Sequence, residues 1–141
     1  MAVCEVTHAC EFAAAHRLAN PAFTDEQNRA RFGPCAREHG HTYQLEVTVR
    51  GPIDPATGMV VDFAALAGVV REHVVQHVDH HHLDRDVPFL AGVISTAENL
   101  AVVFWQRLDA PIGTLGCKLT AIRLHESGRS GVRYTGPGAS G

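Results

Sequence analysis

The segment CAREHGHTY, residues 35–43, places a thiol and two imidazoles close together. His39 and His41 stand two apart at the entry to an alternating apolar run. Side chains at i and i+2 of a strand leave the same face, so both rings can approach one ion. His16 closes the preceding apolar segment, and a hairpin-like pairing across the intervening loop would bring it beside them. Three neutral imidazoles leave the fourth tetrahedral position of a zinc ion open, as in catalytic rather than structural sites. Gly40, between the two ligands, lets backbone or substrate come close. Cys35 precedes His39 by four residues, and a cation near a thiol favours its thiolate. Spacing leaves two readings open for it: a proton-transfer thiol, or a fourth ligand that would make the site structural. By itself an HxH pair is more often accidental than a metal site.

A second cluster, VDHHHLD at 78–84, follows a helical pattern. Asp79 and His80 could form an orienting carboxylate and a proton-transfer imidazole. Three consecutive histidines near a helix C-terminus, where positive charge is favoured, are the bland alternative. Glu126, where an apolar strand meets a turn, could accept paired hydrogen bonds from an amidine-like edge, or stand as a solvated strand-end acid. Glu98 reads as part of a capping box. Trp105, Phe63 and Phe104 read as core, and Cys4, Cys10 and Cys117 as small core residues. His8, His73, His77 and His125 carry no role above background.

Positioning these groups requires strands at both ends of the chain. Residues 3–16 read as a strand closed by His16, and 17–38, with Pro21, Gly33 and Pro34, as a long loop with one helical turn around TDEQNRARF. From His41 the pattern puts Tyr43, Leu45, Val47 and Val49 on one face of a half-buried strand. Asp62 caps a helix whose stripe is Phe63, Leu66, Val70 and Val74. A second helix is predicted from Ser95, where STAE pairs Ser95 with Glu98 in a capping box. Residues 115–125 and 131–135 close the domain as an antiparallel pair. The fold class is α+β, four strands with helices on one face, and its open edges favour self-association.

Composition bounds the function classes. The chain of 141 residues, 45% of them hydrophobic, supports one packed domain over 1–136, with a flexible glycine-rich tail at 137–141. A net charge of -3 with scattered lysines and arginines excludes a nucleic-acid partner. No run of about 18 apolar residues spans a membrane, and no basic, continuously apolar start marks a secretory signal. The expected location is the cytoplasm, with the four cysteines reduced. Ten histidines are what stand out, because imidazole is the commonest transition-metal ligand.

From FAAAHRL through NPAFTDEQNRARFGPC, CAREHGHTY, GPIDPATGMVVDF, VDHHHLDRDVPF and STAENLA to LHES, the chain resembles the 6-pyruvoyl-tetrahydropterin synthase and 6-carboxy-tetrahydropterin synthase family over nearly its whole length. The resemblance implies the tunnelling fold (T-fold), in which trimers close a barrel and two trimers stack into a homohexamer with active sites at subunit interfaces. It implies Zn2+ on His16, His39 and His41, Cys35 as catalytic thiol, Asp79 and His80 as relay, and Glu126 as the pterin anchor. Thr96 and Glu98 then help line the pocket, and Arg17, Arg31 and Arg37 are candidates for the triphosphate. The implied substrate is 7,8-dihydroneopterin triphosphate.

Two products are implied. Three residues between Cys35 and His39 resemble the 6-carboxy enzymes of the queuosine and deazapurine route, which release acetaldehyde and triphosphate, and this spacing sets the expected product. NPAFTDEQNRARFG and DRDVPF instead resemble the pyruvoyl enzymes of the biopterin route, which are the alternative. A non-catalytic pterin-binding protein is the rival of another class, opposed by the retention of Cys35, Asp79 and His80.

Overall fold

Two long strands form the spine of the sheet. In the computed structural model, which describes residues 1–138, β1 (Val3–His16) and β2 (His39–Pro52) pair antiparallel, from Val3 opposite Pro52 to His16 opposite His39. Part of the tail expected at 137–141 therefore lies outside the described residues. On its other side β2 pairs with β4 (Lys118–His125), and β4 with β5 (Gly131–Tyr134), both antiparallel. The fifth strand was not expected. His81 and His82, for which the sequence assigns no role, form β3, which runs parallel to β1 at Ala14 and Ala15 and gives the order β3-β1-β2-β4-β5. Backbone hydrogen bonds fix it, from His80 N–H to the Ala13 carbonyl and from Leu83 N–H to the Ala15 carbonyl.

The helices cover one face. Asp62 caps α2 (Phe63–Val70) by accepting from the Ala65 N–H, and a π-helical turn (Arg71–Val75) leads into α3 (Gln76–Val78). Leu66, Val70, Val74 and Val78 recur at every fourth position and are fully buried, each such side chain stabilising by about 1.5–3 kcal/mol. Phe63 departs from the expected core: it is 72% exposed at the first helical position, one turn before the buried stripe begins. The long helix α4 (Ala97–Gly113) adds Leu100, Phe104, Trp105, Leu108 and Ile112. Against them lies the inward face of the sheet, with Phe12, Tyr43, Leu45, Val47, Val49, Leu119, Ile122 and Leu124.

The loop after β1 is more ordered than expected. Thr24 and Gln27 form a capping box on α1 (Asp25–Phe32), satisfying two otherwise orphaned N–H groups. Inside the loop, the buried Asn28 accepts from the Asn20 N–H at 2.9 Å and donates to the Asn20 carbonyl at 3.2 Å. A 3-10 turn (Gly33–Ala36) carries Cys35. All four cysteines are free, Cys117 alone being buried. Cys4 is exposed rather than in the core, on a strand end where residues 3–5 are all exposed. No described helix is long and apolar enough to cross a membrane.

Candidate metal centre

The inward stripe of the sheet ends in three imidazoles. Phe12, Ala14 and His16 on β1 alternate onto the same face as His39, His41 and Tyr43 on β2, and Phe12 stacks on Tyr43 with centroids 4.7 Å apart. Where the apolar pairs stop, the His16, His39 and His41 rings gather at centroid separations of 4.6, 5.2 and 4.9 Å. One ring nitrogen from each lies within 4.8 Å of the other two, which is within reach of a single ion with ligand bonds near 2 Å. Gly40 explains the close pairing there, since a Cβ on it would stand 3.2 Å from the Ala14 carbonyl oxygen.

The unused nitrogens show that the donors fit a metal. Nδ1 of His16 contacts the Ser95 carbonyl at 3.0 Å and Nδ1 of His39 the Arg37 carbonyl at 2.6 Å. A carbonyl only accepts, so both rings carry their proton on Nδ1 and have their lone pair on Nε2. Nε2 of His41 is buried without a hydrogen-bond partner among the described residues, 3.8 Å from a Glu126 carboxylate oxygen. Burial, then the neighbouring His39, lowers the His16 pKa from 6.5 to about 4. His16 is therefore neutral at physiological pH, as a ligand must be. Beneath the centre, burial raises the pKa of Tyr43, whose hydroxyl lies 3.4 Å from His16 Nε2.

The other expected residues fall into three places. Cys35 is exposed and stands apart from the three-donor group, while its carbonyl accepts from the Leu18 N–H at 2.7 Å, which ties its turn to the chain leaving His16. Asp79 and His80 form a close pair, Oδ1 to Nδ1 at 2.9 Å, and the same Oδ1 accepts from the Ala13 N–H. His80 adopts φ 61 with its side chain 81% exposed, a conformation that costs a non-glycine residue energy. Glu126, Thr96 and Glu98 line one cavity of about 330 Å³ with Leu18 and residues 130–132. Of the three arginines, Arg17 has a buried Nε without a partner among the described residues, and Arg31 lies 6.0 Å from the Phe23 ring.

One helix start is corrected. Thr96, not Ser95, is the N-cap of α4, accepting from the Asn99 N–H. Ser95 turns inward, 1% exposed, with its Oγ 3.2 Å from His16 Nδ1 and 2.6 Å from Asp84 Oδ1. Sequence reasoning missed Ser95 and Asp84 as neighbours of the centre because their link to His16 spans more than sixty positions. Glu38, also missed, accepts from His82 at 2.6 Å and pairs with Arg85, which lowers its pKa chiefly through the His82 contact.

Comparison with known proteins places this geometry in a family. The model of the 6-pyruvoyl tetrahydropterin synthase family matches residues 5–137. The 6-pyruvoyl tetrahydrobiopterin synthases of Pongo abelii and Homo sapiens are 42% and 41% identical over 136 residues, which cover 94% of this chain and 91% of each relative. The solved structure of Caenorhabditis elegans 6-pyruvoyl tetrahydropterin synthase matches with a TM-score of 0.90 at 33% identity, over 96% of this chain and 97% of that one.

Proposed function

The chain belongs to the 6-pyruvoyl tetrahydropterin synthase family of lyases, and from that premise we propose that it eliminates triphosphate from 7,8-dihydroneopterin triphosphate to give 6-pyruvoyl-tetrahydropterin. The observation that carries this product is the identity of 41–42%, over 136 residues, to relatives named for the pyruvoyl reaction. It displaces the 6-carboxy product expected from the Cys35 spacing, which is a single local feature set against likeness over the whole chain.

Bound at His16, His39 and His41, a zinc ion would supply Lewis-acid polarisation of the substrate's side-chain oxygens. The chain's own groups do the rest. Cys35 takes and returns protons at the side-chain carbons, and His80, oriented by Asp79, is the second proton-transfer group. Glu126 accepts from the N–H edge of the pterin, with Thr96 and Glu98 lining the ring pocket. Its carboxylate lies 3.8 Å from His41 Nε2, so a ring held by Glu126 would project its side chain toward the three imidazoles. The high exposure of His80 supports a role toward the site of a neighbouring subunit in a homohexamer with active sites at its interfaces.

The second reading, 6-carboxy-tetrahydropterin formation, keeps one observation in its favour: only three residues separate Cys35 from His39. Incubation of the purified protein with dihydroneopterin triphosphate separates the two. Triphosphate release without acetaldehyde is expected. Acetaldehyde in equal amount to substrate consumed would reverse the assignment, and no release of either would support a pterin-binding protein without turnover.

A further inference from the structure

His16 is the most deeply buried of the three imidazoles, and a carboxylate, Asp84, stands behind its Nδ1 through one hydroxyl. The two nearest groups to Nδ1 of His16 belong to one residue, the Ser95 carbonyl at 3.0 Å and the Ser95 Oγ at 3.2 Å, with the Tyr43 hydroxyl farther off at 3.5 Å. The hydroxyl has one proton to give, and Asp84 Oδ1 at 2.6 Å accepts it. The oxygen therefore turns only lone pairs toward the ring, and both Ser95 groups, the two nearest to Nδ1, are acceptors. The second carboxylate oxygen, Asp84 Oδ2, accepts from the Arg17 N–H at 2.9 Å. One carboxylate thus holds the main chain next to His16 and, through a hydroxyl, its side chain.

We infer that Asp84 and Ser95 form a positioning relay that locks His16 as its Nδ1–H tautomer and sets how tightly the three-imidazole centre holds its metal. The inference rests on the reading of His16, His39 and His41 as metal ligands. Partners of this kind orient a ligand ring and raise its basicity, and their loss typically costs 10–100-fold in metal affinity. Asp84 and Ser95 touch neither substrate nor ion. They act through His16.

The test titrates zinc into the chelator-stripped full-length protein in competition with a chromophoric chelator. Cobalt substitution reports the geometry of the site through its visible absorption. Ser95→Ala and Asp84→Asn should each weaken zinc binding about 10–100-fold and alter the cobalt spectrum. The double variant should be little worse than either single one, because both break the same chain. Asp86→Asn is the control, since Asp86 sits in the same loop and bonds the His82 N–H without reaching His16. Its affinity should match that of the wild type. Asp84 is exposed, so Asp84→Asn carries the test if Ser95→Ala does not fold. Wild-type affinity in folded Asp84→Asn, or additive losses in the double variant, overturns the relay. Absence of zinc binding by the wild type overturns the metal-centre reading itself.

Discussion

Among single residues, the division of labour turns on which atoms already have partners. His16 and His39 spend Nδ1 on carbonyls, and His41 keeps an unpartnered buried Nε2, whereas the Cys35 thiol stands outside the donor group. Cys35→Ala should therefore lower turnover by at least about 10²-fold, as expected for loss of a proton-transfer group, with zinc content unchanged by elemental analysis. Loss of zinc in that variant would make the thiol a fourth ligand. His16 also makes a prediction about acid. Its pKa falls from 6.5 to about 4 on folding, so between those values the unfolded chain binds a proton that the native chain does not, and stability is lost as pH falls through that window. For this one group the loss from pH 8 to pH 5 is roughly 2 kcal/mol. Urea midpoints of the zinc-free protein at the two pH values read it, and His16→Gln should remove that part of the difference.

At the scale of elements, what could be read in the sequence was what is periodic. The alternation of Tyr43, Leu45, Val47 and Val49 marks a half-buried strand, and all four are fully buried. Asp62 before an apolar stripe of period four marks a helix start, and the structure has it as N-cap. The His16, His39 and His41 grouping followed from the same logic, because register opposite His39 carries His16 to it. What could not be read depends on long-range contacts. A two-residue strand such as His81–His82 has no period, and its pairing is decided by Ala14 and Ala15, over sixty residues away. STAE offers two adjacent caps, and Thr96 takes the position because Ser95 is drawn to His16 and Asp84. DEQNRARF is too polar to show a helical stripe, so α1 depends on its cap. Thr24→Ala removes the capping box and should cost about 1 kcal/mol. Because α1 runs directly into the turn that carries Cys35, faster amide exchange should spread over residues 25–36. Unchanged exchange there would mean that the Asn20–Asn28 bonds alone hold the loop.

For the molecule as a whole, the sheet is finished on one face and open elsewhere. Helices cover the inward side, while the other side presents polar contacts such as Thr7 with Thr48 and Gln44 with Glu11, of which Thr48 alone is half-buried. Beyond β3 and Ala13, whose N–H and carbonyl are taken by Asp79 and His80, the outer edge of β1 from Val3 to Phe12 has no neighbouring strand among the described residues, and β5 is the other edge of the described sheet. Long unpaired edges carry rows of free N–H and C=O groups and are templates for pairing with another chain. A sheet that continues across copies of itself would satisfy them, and a symmetric ring closes without leaving a new edge. Light scattering should accordingly find a closed homo-oligomer of the 15.2 kDa chain, with six copies as the expected number. Dilution below the assembly concentration should lower activity per chain, since His80, 81% exposed and held by Asp79 at 2.9 Å, would lose the neighbouring site proposed for it. Amides of residues 3–12 that face the open edge should exchange slowly in the assembly and quickly after dilution. A monomer with undiminished activity per chain would show that Cys35 and His80 work within one copy, and would remove the reason for placing the site between subunits.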